Sequence, residues 1–140
     1  MVLSQFMRDP VRVYALAEVT RMAVKQGVRP PQLIWEDPVD PQFALGGTPA
    51  KMFPPYIVLS TQWFDAFVRD PGRALKMLSY VLAHEVRHWL TVAKHLPIPL
   101  PRGPKWREKR GEWSESAAYE FAEAETGISH AEFWAWWEGL

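Results

Sequence analysis

The sequence predicts an α+β fold in which a small two- to three-stranded sheet packs on a long helix, with an N-terminal helix before it and two further helices after it. Two observations carry this. Several segments with a 3.6-residue apolar period are punctuated by strong start and stop residues. The stretch 30–60 lacks that period and holds short β-prone runs between prolines and glycines. The bulk composition agrees. The chain has 140 residues, 48% hydrophobic and 23% charged, which is the balance of a globular domain. That length is normally one domain. We therefore expect 1–140 to form one compact unit, with an N-terminal helix and sheet over 10–60 and a helical part over 61–140.

The elements follow in order. Asp9-Pro10 reads as an N-cap with proline at the first helical position, and Gly27 as the stop, which predicts a helix over 10–26. Val13, Leu16, Ala17, Thr20 and Val24 recur near the helical period and form its expected core face. Three short runs read as strands: Leu33, Ile34 and Trp35; the weaker Phe43, Ala44 and Leu45, stopped by Gly46-Gly47; and Tyr56, Ile57, Val58 and Leu59. Flanking prolines mark them as edges, because proline cannot donate to a ladder. Ser60 or Thr61 can cap a short helix ending near Arg69. Asp70-Pro71 opens a long helix over about 71–95, whose buried stripe is Leu75, Leu78, Leu82, Val86 and Trp89 or Leu90. Pro97, Pro99, Pro101 and Pro104 then impose an extended loop. A further helix lies between Lys105 and Thr126, with Gly111 and Ser114 each offering a break at its start. Ser129 and Glu132 have capping-box spacing, which predicts a last helix over about 130–138.

Composition excludes several classes of function. The 16 basic residues balance 16 acidic ones, so the basic surplus of a nucleic-acid or acidic-membrane binder is missing. No apolar run reaches the ~18–20 residues of a membrane span, and the first residues do not read as a signal peptide. A cytoplasmic protein is expected. Cysteine is absent, which removes disulfides, thiolate metal sites and Cys nucleophiles together. Any metal must be held by His, Asp or Glu. Asn is also missing and there are 13 prolines, a depletion of heat-labile residues that points to a thermophilic source.

One motif carries chemistry. His84-Glu85-Val86-Arg87-His88 is H-E-x-x-H inside an expected helix. The i, i+4 spacing puts both imidazoles on one face, one turn apart, within reach of one metal ion. Glu85 is displaced by about 100° around the axis, a poor third ligand but well placed as a proton acceptor. Two neutral His ligands suit Zn²⁺, which polarises carbonyls and lowers the pKa of a bound water toward ~7. Catalytic zinc usually takes three protein ligands. His95 is nearly two turns beyond His88, about 10 Å by helix rise, and reads as a helix C-terminal residue favoured by the macrodipole. His130 opens a helix and reads as solvated. The preferred third ligand is Glu115, because Glu115, Ala118, Tyr119 and Ala122 share a helix face and the alanines allow close approach. Glu120 and Glu112 are the alternatives, and all the glutamates of this stretch could instead form a solvated acidic face.

The segment from Leu78 to His88, followed by Glu115-Ser-Ala-Ala-Tyr-Glu-Phe-Ala122, resembles a gluzincin zinc metallopeptidase. More narrowly it resembles the single-domain minigluzincins and the related phage-type repressor-cleaving metalloproteases, over roughly residues 30–126. The resemblance implies Zn²⁺ on His84, His88 and Glu115, with Glu85 as general base. It implies a peptide or protein substrate added as an extended strand to an edge strand above the helix, best matched by Tyr56 to Ser60. It also implies a donor for the oxyanion, for which Tyr80, Tyr119 and His95 are candidates. Two departures stand out. Arg87 replaces a frequent glycine, and Tyr119 replaces an Asp that would hold a ligand histidine, so a tyrosine oxygen accepts there without a carboxylate's charge.

Other readings remain beside this one: a metalloprotease specific for a single partner such as a repressor, or a binding protein with a catalytically silent zinc. Phe133, Trp134, Trp136 and Trp137 read as a core-capping helix, with a cleft-covering tail over 129–140 as the sharper alternative. Lys105, Arg107, Lys109 and Arg110 around Trp106 read as a solvated face rather than a nucleic-acid contact. Oligomeric state has no signature in the sequence.

Overall fold

The computed structural model describes residues 2–39, 45, 47–94 and 106–140, with side chains over 8–39, 45, 47–94 and 114–140. The expected α+β class holds. Among the described residues the order is α1 (Val2–Lys25), β1 (Gln32–Glu36), β2 (Ala50–Phe53), β3 (Tyr56–Ser60), α2 (Gln62–Arg69), α3 (Pro71–Ala93), α4 (Trp106–Thr126) and α5 (His130–Glu138). No helix among them is long and apolar enough to cross a membrane.

The helix boundaries follow local chemistry. Asp70 caps α3 by accepting from the Arg73 amide at 3.2 Å, with Pro71 at the first position. Ser129 caps α5 by accepting from the Glu132 amide at 3.1 Å. At the start of α2 it is Ser60 whose Oγ accepts from the Gln62 amide, while Thr61 makes no side-chain cap. Gly27 and Gly127 end α1 and α4 at φ of 73° and 74°, left-handed values that only glycine adopts without strain.

Helix α1 departs from expectation twice. It begins at Val2 and runs through Pro10 instead of starting there. Proline forfeits one amide donor, but its φ near −65° is itself helical. Its buried face is also a different one. Val11, Ala15, Val19 and Met22 are 0–1% exposed, whereas Val13, Leu16 and Val24 are 67%, 56% and 69% exposed. Ala17 is exposed and Thr20 half-buried. The helix carries two apolar stripes, and polar partners decide between them. Tyr14 Oη meets Ser79 Oγ on α3, Ser79 Oγ donates to Glu18 at 3.2 Å, and Lys25 and Arg21 reach Glu125 on α4 at 3.2 and 3.8 Å. These contacts turn the Val11–Met22 stripe inward.

The sheet also differs in detail. Its order is β1-β3-β2, with β1 parallel and β2 antiparallel to β3. Tyr56–Ser60, expected at an edge, is the central strand. Ile57 to Ser60 are buried on both faces, as a continuous apolar run should be. The second strand is Ala50–Phe53, joined to β3 by the two-residue Pro54-Pro55 turn. Of the expected 43–45 strand, Phe43 and Ala44 lie outside the described residues, and Leu45 is a buried residue outside any strand. β2 reads as an edge, with its Lys51 exposed.

Helix α3 runs through the middle of the fold, packed by α1, α2, α4 and β2. Leu78, Leu82, Val86 and Leu90 are 0–1% exposed as expected, and Leu75 and Trp89 are half-buried. The burial exceeds one stripe, because Met77, Tyr80, Val81 and Ala83 are also covered. The C-terminal aromatics cap this core. Trp63 lies 5.0 Å from Trp137 and Phe133 stacks on Tyr80 at 5.0 Å. Residues 95–105, where an extended loop was expected, lie outside the described residues, as do the side chains of Trp106, Arg107, Lys109 and Arg110.

Candidate metal centre

Helices α3 and α4 bring the site together. Ala118 and Ala122 on α4 are fully buried, so no bulky side chain holds the two helices apart. α4 continues unbroken through Gly111 and Ser114. Glu115 thereby faces His84 and His88. Its Oε1 lies 2.7 Å from His88 Nε2 and its Oε2 3.2 Å from His84 Nε2. The two Nε2 atoms are 3.3 Å apart. Among the described residues these three form one group whose ligand atoms all lie within 4.8 Å of one another, so they could hold a metal ion. A tetrahedral ion with bonds of ~2.0–2.1 Å spaces its ligand atoms by about 3.3 Å. The two imidazole nitrogens have that spacing and each lies 2.7–3.2 Å from one Glu115 oxygen, so the donor set fits. Of the alternative glutamates, Glu120 is exposed and the Glu112 side chain lies outside the described residues.

Charges in the cluster are strongly coupled. Hydrogen bonds from both imidazoles hold the Glu115 carboxyl well below the usual carboxylate range. Burial opposes a charge on His88, but the Glu115 hydrogen bond and the carboxylates of Glu85 and Glu115 outweigh it and raise the ring. Glu85 is 5% exposed. Burial pushes its carboxyl up, against the two imidazoles and the Met52 amide, which donates to it from the edge strand.

The surroundings of the ligands differ from expectation. Ser114, read from sequence as a helix break, has its Oγ 3.2 Å from His88 Nδ1 and so orients that ring from its far side. Its position next to Glu115 on the facing helix was the signal that could have found it. Tyr119 does not accept from an imidazole N–H through its hydroxyl. Its ring lies 4.7 Å from His84, and its hydroxyl pairs with Glu115. Burial, then the Glu115 charge, pushes its phenol up to about 12. His130 is half-buried rather than solvated. Its ring lies 3.8 Å from Tyr119 and its Nδ1 3.5 Å from Tyr80 Oη. Burial lifts Tyr80 to about 12 and lowers His130. His95 lies outside the described residues.

A cavity of about 590 Å³ opens over these groups, between α3, α4, α5 and β2. The loop that closes its far wall is held at three points. Glu36 accepts from the Leu45 amide, and the indoles of Trp137 and Trp63 donate to Gly47 O and Pro49 O, each at 3.1 Å. α5 contributes His130, Phe133 and Trp134 to the cavity wall. Comparison with protein-family models, with curated proteins and with solved structures finds no match.

Proposed function

We propose that the chain is a zinc-dependent peptidase of gluzincin type. The observation that carries this reading is the convergence of His84, His88 and Glu115, with buried Glu85 beside them under the edge of β2. His₂Glu is a donor set used by catalytic zinc, and the ion would supply Lewis acidity and an activated water when bound. Glu85 then has a defined task. Burial raises its proton affinity, so it takes a proton from the attacking water and returns it to the leaving nitrogen. One water is consumed, and an acid and an amine result.

The edge strand supplies the substrate track. Antiparallel ladders alternate paired and outward-facing residues. Ser60 N donates to Pro49 O, so Ala50 and Met52 face the open edge, and the Met52 amide does reach Glu85. An extended peptide can add there as a further strand. This assigns to β2 the role the sequence reading gave to Tyr56–Ser60. Tyr80 and His130 sit on the same cavity and serve as donors to a developing oxyanion, since Tyr119 is engaged by Glu115. The test is cleavage of a casein or fluorogenic peptide library by zinc-loaded wild type and Glu85→Gln. The peptidase reading expects turnover only in the wild type, with zinc bound to both. Equal behaviour of the two proteins contradicts it and favours a binding protein.

A further inference from the structure

Helix α1 carries a second apolar stripe that the core does not use. Val13, Leu16 and Val24 are 67%, 56% and 69% exposed, Ala17 is exposed and Thr20 half-buried. Val13, Ala17, Thr20 and Val24 line one helix face over about 16 Å, and Leu16 broadens it. That face points away from Val11, Ala15, Val19 and Met22, which hold α1 on the core. It does not serve the helix itself, because Val and Thr are poorer helix formers than Lys, Glu or Gln, which suit an exposed surface.

The flanks of the stripe are basic. Arg21 and Lys25 border one side and already hold Glu18 and Glu125. Arg12 borders the other side. With half-buried Arg8 one turn earlier, it lies over the Phe64 ring, at 5.3 and 5.0 Å. Neither guanidinium has a carboxylate partner among the described residues, and Arg8 Nε is buried with no hydrogen-bond partner. Two like charges thus share one ring without a counter-charge. Of the two carboxylates on α1, Glu18 is taken by Arg21, and Asp9 lies past the N-terminal end of the stripe.

We infer that the exposed face of α1 docks an acidic amphipathic helix of a partner protein. Small Ala17 and Thr20 at its centre, with larger Val13, Leu16 and Val24 around them, let a second helix approach closely and interdigitate. Glutamates beside the apolar seam of that helix meet the unpaired charges of Arg12 and Arg8. A second copy of this chain brings the same basic flanks and no free glutamate to meet them. A membrane surface matches the charge, but the stripe has no Trp or Phe to anchor it in a bilayer interface. None of these residues lines the cavity over the metal centre, so zinc content serves as a control.

The probes are two three-heptad peptides with one Leu and Ala seam. One has Glu and the other Lys at every flanking position, so that neither pairs with itself. Their binding to the full chain is followed by fluorescence anisotropy. The Glu peptide should bind weakly, because so short a contact is smaller than a standard interface, yet about tenfold more tightly than the Lys peptide. Leu16→Asp should abolish that binding, and Arg12→Glu should bring the two peptides level or reverse their order. Zinc content and melting temperature show whether each variant keeps its fold. Equal binding of both peptides by the wild type, or binding of neither, overturns the proposal. A dimer in analytical ultracentrifugation that Leu16→Asp disperses also overturns it and gives the face to a second copy. Sedimentation with phosphatidylserine–phosphatidylcholine vesicles that Leu16→Asp removes overturns it in favour of a membrane.

Discussion

Helix α3 has two faces of opposite chemistry. Leu78, Leu82 and Val86 are 0–1% exposed in the apolar core. His84 and His88 are offset from Leu82 and Val86 by two residues, hence by about 200° around the axis, and meet Glu115 of α4. The first face gives the helix its place. At the border of the two, about 100° around from His84 and in line with Leu78, Glu85 holds a buried carboxyl that does nothing for packing that an apolar residue would not do more cheaply. The difference separates stability from chemistry within one helix, and it can be attacked from either side.

The largest effect belongs to Glu85 at the border of the polar face. Glu85→Gln should lower peptidase turnover by about 10²–10⁴-fold, while the melting temperature stays level or rises, because the buried carboxylate is relieved. Kinetics and a thermal scan on the same preparation check both halves. A large loss of stability in this variant would break the contrast. The apolar face predicts the reverse. Leu82→Ala should cost about 2–5 kcal/mol in denaturant unfolding, yet zinc affinity of the folded fraction should hold. A smaller effect sits between the faces. Ser114→Ala should weaken zinc binding about 10–100-fold, with little change in stability, because it frees His88 Nδ1.

The smallest effect is the pH dependence. In the metal-free protein His88 is raised and Glu115 lowered. The His88 contribution is present below its unfolded pKa and is lost as pH rises through the folded value. The Glu115 contribution is present above the ordinary carboxylate range and is lost as pH falls through its folded value. The metal-free fold is therefore helped most at mildly acid pH and loses this help as pH rises through the raised value of His88. The gain is modest, since Glu115 is half exposed. The metal-loaded protein should show the opposite trend over the same window, because zinc needs deprotonated imidazoles. Thermal scans at two pH values, with and without zinc, compare the signs.

Much of this was legible in the sequence, and the failures have physical causes. His84, Glu85 and His88 follow from helical spacing, and Glu115 from the small residues sharing its face. The caps at Asp70 and Ser129 were readable because their hydrogen bonds are local. Asp9-Pro10 has the same pattern as Asp70-Pro71 but lies inside a helix, because proline permits a helix without requiring its start there. The rotation of α1 was hidden because its polar partners Ser79 and Glu125 are distant in sequence. β2 was missed because Ala50-Lys51-Met52-Phe53 has little strand propensity of its own and is recruited by β3. His130 acts through a helix–helix contact, for which one sequence holds no periodic signal, whereas Ser114 was findable only from its place beside Glu115.

The most direct test of the account is the metal content of purified wild type and Glu115→Ala after zinc is offered and excess removed. The account predicts about one zinc per wild-type chain and a large reduction in the variant. An equal zinc content in the two proteins, or none in the wild type, would contradict the three-ligand centre on which the rest depends.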